Sequence, residues 1–149
     1  MHKGAFFTIM AGALPVAYYF SKPTEVAYSN AGAENSGEYL IDFAHELKDG
    51  DMRALKYGAQ DSDKVLISKY QGKLYATGNA CSHFGVPLEG GMLFDDKVLC
   101  PAHGAAFSIT SGAPENAPAL DGLPTFEIEQ RDSKFYVKVP EGGFPKKVA

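Results

Sequence analysis

The sequence predicts an all-β fold, an antiparallel β-sandwich or small barrel, preceded by an N-terminal hydrophobic helix. Two observations carry the β assignment. From Glu38 onward the chain is a series of short apolar or alternating runs punctuated by Gly, Asp and Pro. Two pairs of runs also close on two-residue turn signals, Gln71-Gly72 and Asp95-Asp96. The helix rests on a third observation: residues 4–20 carry no charge. With 149 residues and 45% hydrophobic content, the chain supports one domain of ordinary size plus short appendages. The expected division is an anchor helix at 1–21, a linker at 22–37, the β domain at 38–140 and a tail at 141–149. A net charge of -4 argues against nucleic acid as a partner, since phosphates demand a basic face.

Residues 4–20 as a helix would span about 25 Å at about 1.5 Å per residue, slightly short of a ~30 Å hydrocarbon core. Tyr18 and Tyr19 beside Lys22 fit interfacial anchors at one end, with Lys3 at the other. Pro15 would bend such a helix, which neighbouring helices can accommodate. The segment reads first as a membrane anchor. A secretory signal peptide, with Ala11-Gly12-Ala13 as a poor and early cleavage site, and a helix buried against a protein partner are the alternatives. No arginine precedes Arg53, which disfavours a cleavable mitochondrial presequence. Residues 22–37 are small, polar and turn-rich, a spacer or a tether for a moving head.

The β domain opens with a strand at 39–43, a single helical turn at 44–47, a turn at 48–51 and a strand at 52–57. Hairpins follow at 64–70 with 73–76 and at 91–94 with 97–100. Phe107–Thr110 leads into a Ser111-Gly112 turn. Residues 113–124 contain Pro114, Pro118 and Pro124, so they cannot form a central strand. A last alternating hairpin sets Phe126 and Ile128 against Phe135, Val137 and Val139 across Arg131-Asp132-Ser133. Lys146 and Lys147 end a solvated tail.

The chemistry concentrates in Cys81-Ser82-His83 and, after sixteen intervening residues, Cys100-Pro101-Ala102-His103. These use both cysteines and two of the four histidines. Thiolate and imidazole are soft-to-borderline ligands, and two such pairs offer S₂N₂ coordination. A structural zinc site has the same ligands, but its finger form spaces them as C-x₂₋₄-C and H-x₃₋₅-H, whereas each loop here gives one Cys and one His. A Cys81–Cys100 disulfide would leave the paired histidines unexplained. The glycines that follow, Gly85 and Gly104, would let bare backbone close over a cluster whose sulfides need N–H donors.

The loops Cys81-Ser-His-Phe-Gly-Val-Pro-Leu88 and Cys100-Pro-Ala-His-Gly-Ala-Ala-Phe107 clearly resemble those of the Rieske family, matching its C-x-H…C-x-x-H pattern in full. The similarity runs from about Glu38 to Pro140. The resemblance implies a [2Fe–2S] cluster with Cys81 and Cys100 on one iron and His83 and His103 on the other. It also implies two loops presented at one tip with the histidines outermost, and a proline-bearing loop, 113–124 here, shielding the cluster. The cytochrome-bc branch of the family has a disulfide between the ligand loops; its positions are Val86 and Ala102 here. That branch also has a serine and a tyrosine donating to the cluster sulfurs, where this chain has Ala105 and Phe107. Fewer donors stabilise the reduced cluster less, so the expected potential is nearer about -150 mV than +300 mV. The loops resemble those of Rieske ferredoxins and of the Rieske domain in apoptosis-inducing-factor-like flavoproteins. No G-x-G-x-x-G fingerprint of a reductase domain occurs in the chain.

The expected function is one-electron transfer by a low-potential centre tethered to a membrane through residues 4–20, with redox proteins or a membrane respiratory complex as partners. The alternative is an accessory iron–sulfur subunit of such a complex with a mainly structural role. No catalytic residue is assigned. An oxygenase would also need a mononuclear iron held by two histidines and a carboxylate, and only His2 and His45 remain. The mitochondrial inner membrane is the favoured location, with a bacterial cytoplasmic membrane as the alternative.

Overall fold

Strand β4, Lys64–Tyr70, is the wall on which the domain is built. Its residues Val65, Leu66, Ile67 and Ser68 are all buried, so both faces of the strand are covered and the sequence reads as a continuous apolar run rather than an alternating one. Val65 and Ile67 enter one core with Ile41, Phe43, Leu55 and Val137, whereas Leu66 enters another with Cys81, Cys100, Leu88 and Phe107. The first is the base of the domain. The second carries both cysteines.

The computed structural model describes residues 27–28 and 37–140. The expected helix at 4–20, most of the linker and the tail lie outside the described residues. Among the described residues, no helix is long and apolar enough to cross a membrane. In chain order the strands are β1 Ala27–Tyr28, β2 Glu38–Leu40, β3 Met52–Lys56, β4, and β5 Lys73–Gly78. They continue with β6 Met92–Phe94, β7 Lys97–Leu99, β8 Ala106–Ser108, β9 Thr125–Phe126, β10 Ile128–Arg131 and β11 Lys134–Lys138. One 3₁₀ turn, Leu88–Gly90, precedes β6.

The strands form three sheets, ordered β1-β3-β4-β5-β9, β10-β11-β2 and β6-β7-β8. Among the described residues, all strand pairings are antiparallel except β1 with β3, which is parallel. The barrel alternative is corrected here: the sheets stay separate, and β9 and β10, though consecutive, pair into different ones. Thr125 and Phe126 join Thr77 and Ala76 of β5, and after Glu127 the chain crosses to β11.

That crossing also corrects the last hairpin. Ile128 lies opposite Val137 as expected, but Phe126 pairs its backbone with Ala76, and its side chain packs on the base core from the other sheet. The connecting turn is Asp132-Ser133, because Arg131 still pairs with Lys134. The expected helical turn at 44–47 is instead a pair of tight turns, with the Ala44 N–H donating to the Ile41 carbonyl at 3.2 Å and the Glu46 N–H to the Phe43 carbonyl at 2.9 Å.

The hairpin at Gln71-Gly72 forms where the turn chemistry places it. Both residues have positive φ, 50° and 75°, the geometry whose twist matches the flanking strands. Lys97–Leu99 pairs with both Met92–Phe94 and Ala106–Ser108, which makes the small sheet under the second ligand loop.

Candidate metal centre

The two cysteine loops have the same backbone design. In the first, the Cys81 N–H donates to the Val86 carbonyl at 2.9 Å and the Gly85 N–H donates to the Cys81 carbonyl at 2.7 Å. In the second, the Cys100 N–H donates to the Ala105 carbonyl at 2.7 Å and the Gly104 N–H to the Cys100 carbonyl at 3.2 Å. Each cysteine thus opens a turn closed by a glycine four residues on, with φ of 72° at Gly85 and 73° at Gly104. A Cβ at either glycine would meet no atom within 4 Å, so the left-handed backbone, not crowding, demands glycine there.

The loops differ in placement. The second connects neighbouring strands, β7 and β8. The first is no hairpin tip: it leaves β5, closes through an Ala80–Pro87 bridge, and passes by the 3₁₀ turn into β6 of another sheet.

This design sorts the four expected ligands by depth. Cys81 and Cys100 are free thiols, 3% and 4% exposed. His83 is half-buried and His103 exposed, their ring centroids 5.3 Å apart at 77°. Phe84, 71% exposed, lies 3.9 Å from the His83 ring and 5.6 Å from that of His103. Burial is the largest influence on the Cys100 thiol and pushes its pKa up. The Ala102 N–H at the sulfur favours the thiolate, the neighbouring Cys81 thiol opposes it, and the His103 N–H again favours it. Backbone donors aimed at a buried sulfur are what a metal-bound thiolate needs.

The donor set fits a two-iron cluster: a buried sulfur pair for one iron and a more exposed imidazole pair for the other. Among the described residues no group of three His, Cys, Asp or Glu side chains is placed to hold a single ion. Val86 is half-buried against the core and Ala102 is exposed. Ala105 and Phe107 are 1% and 0% exposed in the core that holds Cys100.

The proline loop packs over this core through Ala119 and Leu123, each 6% exposed. It is bonded to both ligand loops. Ser82 Oγ donates to the Asp121 carbonyl at 2.7 Å, and Asn116 binds Ala106 and Gly104 at 2.7 and 3.1 Å.

His45 is elsewhere. Its Nε2 lies 2.6 Å from the Ser133 carbonyl and its ring meets Phe135 edge-on at 5.6 Å, a tie between the base turn and the last hairpin. It lines a cavity of about 360 Å³ with Lys69, Lys73 and Gln130, and among the described residues neither a carboxylate nor a second imidazole lines that cavity. His2 lies outside the described residues. Sequence reasoning missed Asn79, Glu89, Lys64 and Asn116, which brace the loops. No local pattern marks them, because each acts on a partner that only the fold brings near.

The family model for the Rieske [2Fe-2S] domain matches residues 37–127. The chain is 40% identical over 101 residues to apoptosis-inducing factor 3 of Homo sapiens, covering 68% of this chain but 16% of that protein. It is 31% identical over 97 residues to the 3-phenylpropionate/cinnamic acid dioxygenase ferredoxin subunit of Photorhabdus laumondii, covering 64% of this chain and 89% of that subunit. Among solved structures, it matches a chain in a complex of oxygenase and ferredoxin of carbazole 1,9a-dioxygenase with TM-score 0.63 and 27% identity, covering 70% of this chain and 94% of that one. The fold is shared with the carbazole 1,9a-dioxygenase ferredoxin of Nocardioides aromaticivorans, at TM-score 0.60 and 24% identity over 68% of this chain and 97% of that one. These matches, with the paired thiols and imidazoles above, imply a Rieske-type [2Fe–2S] cluster as the cofactor. Fold, loop geometry and similarity agree, and the chain belongs to the Rieske [2Fe-2S] domain family.

Proposed function

We propose that this chain is a low-potential one-electron carrier, with Cys81 and Cys100 holding one iron and His83 and His103 the other. When bound, the cluster supplies one-electron oxidation and reduction without substrate chemistry in the chain itself. The observation that carries this reading is the layering of the site, a buried thiol pair beside a half-buried His83 and an exposed His103. The protein screens the sulfur side from water, while the imidazole edges give a partner close approach. Phe84, 71% exposed against both histidine rings, and Leu120, 87% exposed on the proline loop, add apolar surface, so the docking partner is a redox protein with a complementary apolar seat.

The low potential is supported by Ala105 and Phe107, which carry no hydroxyl to donate to the cluster. Tethering to a membrane is supported by the uncharged run at 4–20 and the polar stretch that follows it, and the division into anchor, linker, domain and tail is part of the same proposal.

The test is an EPR spectrum of the dithionite-reduced protein with a reductive titration. A Rieske-type signal with a midpoint below zero is expected, and it should vanish in Cys81→Ala and His103→Ala. A midpoint above zero overturns the low-potential reading. Zinc or no metal by elemental analysis, with no signal, overturns the electron carrier.

A further inference from the structure

Each ligand loop is closed from outside by one asparagine that uses both ends of its carboxamide. Asn79, 6% exposed, stands where β5 ends and the first loop begins. Its Oδ1 accepts the Glu89 N–H at 3.0 Å, its Nδ2 donates to Glu89 Oε2 at 3.1 Å, and its carbonyl accepts the Leu88 N–H at 2.7 Å. Three bonds therefore span the neck of the loop that carries Cys81 and His83. The other carboxylate oxygen, Glu89 Oε1, receives Lys64 Nζ of β4 at 3.2 Å, with the two side chains 12% and 16% exposed. The neck is thereby fastened to the central wall of the domain.

At the second loop, Asn116 reaches in from the proline loop. Its Oδ1 accepts the Ala106 N–H at 2.7 Å and its Nδ2 donates to the Gly104 carbonyl at 3.1 Å. Gly104 is the left-handed residue that ends the Cys100 turn.

We infer that Asn79 and Asn116 are positioning residues of the metal centre, and that the Lys64–Glu89 pair acts through Asn79 to hold the first ligand loop in register with the second. The inference rests on the ligand assignment proposed above. Its physical basis is that a cluster bridging two loops fixes their separation, and slack in either neck moves a ligand pair and the backbone donors at its sulfurs together. A carboxamide suits both necks because it carries donor and acceptor at one end.

Polarity gives the test. Asn79→Asp keeps the shape of the side chain but removes the donor and sets a carboxylate against Glu89. Adding Glu89→Gln restores one donor and one carboxylate, with their places exchanged, and leaves an amide oxygen to accept from Lys64 Nζ where Glu89 Oε1 did. Cluster release from the oxidised holoprotein, followed by visible absorbance in the presence of an iron chelator, should accelerate by about tenfold or more in Asn79→Asp, the usual scale for losing an outer partner of a metal ligand. The EPR line shape should broaden with it. The double variant should return both toward wild type. Asn116→Asp and Lys64→Met should accelerate release as well, and they carry the test if Asn79→Asp does not fold.

Ile67→Val, which thins the base core away from both loops, calibrates what loss of global stability alone does. Release that tracks the unfolding midpoint equally in Ile67→Val and the asparagine variants overturns the inference, as does a double variant that restores nothing. A wild-type protein without a Rieske signal overturns the ligand assignment and this inference together; a normal wild-type signal with unmoved release in the variants overturns this inference alone.

Discussion

Phe107 and Ala105 are where the proposed low potential is put to the test. Phe107 is fully buried, paired with Val98 across the small sheet, and shares a core with both cysteines. Phe107→Tyr adds one hydroxyl there. A hydrogen bond to a charged acceptor is worth about 1.5–3 kcal/mol, and a one-electron couple moves about 59 mV for each tenfold change in equilibrium. Only the part of the bond that strengthens on reduction counts, so the potential should rise by up to roughly 100 mV, read by reductive titration. A hydroxyl that finds no sulfur acceptor would instead lower stability by about 1–3 kcal/mol and leave the potential where it was, so the titration and a thermal melt separate the outcomes. The same residues mark what a sequence can disclose. Cys81 with His83 and Cys100 with His103 lie two and three positions apart, so each proposed Cys/His pair stands out within one short stretch of sequence. Asn79 and Glu89 are ordinary polar letters until the chain folds and places one across the neck from the other.

The hairpins were legible for a related reason. Turn residues act locally, and Gln71-Gly72 needs only its own positive φ values to set the register of β4 and β5. The β9–β10 segment was not legible, because a two-residue strand has no period and its choice of sheet is made by β5, far away in sequence. The proline loop lies between these cases: its prolines announce a loop, but not which side chains face inward. Leu120 and Leu123 look alike in sequence, yet one is 87% exposed and the other 6%. The difference follows from Gly112, whose φ of 74° and whose carbonyl, bonded at 2.7 Å by the Leu123 N–H, bring Leu123 down onto the core. Leu123→Ala should therefore cost about 2–5 kcal/mol, as buried leucine truncations do, and shorten the life of the cluster beneath it. Leu120→Ala should stay within about 0.5 kcal/mol of wild type. Denaturant unfolding of the two variants side by side checks the pair, and equal costs would mean the loop does not pack as a lid.

The molecule as a whole is two cores sharing one wall, and they should differ in how much they depend on metal. The base core joins β3, β4, β10 and β11 through large aliphatic side chains, and the long-range pairing of β11 with β2 ties it together. The other core includes the two cysteine side chains themselves, and its own sheet has only three-residue strands. Short strands hold few ladder bonds, so the order of that lobe leans on whatever joins its loops. Metal binding to such a site is folding free energy for the segments it joins. Removing the cluster should then loosen residues 80–124 as a unit while the base keeps its protection, since local opening follows the contacts each region retains. Hydrogen exchange on cluster-loaded and metal-free protein measures this directly. Amides of β6, β7, β8 and both ligand loops should exchange faster by one to several orders of magnitude in the metal-free form, whereas those of β3, β4 and β11 should change little. A uniform rise across both lobes would mean that β4, buried on both faces, couples the cores into one cooperative unit. The metal would then stabilise the entire domain rather than the end that carries it.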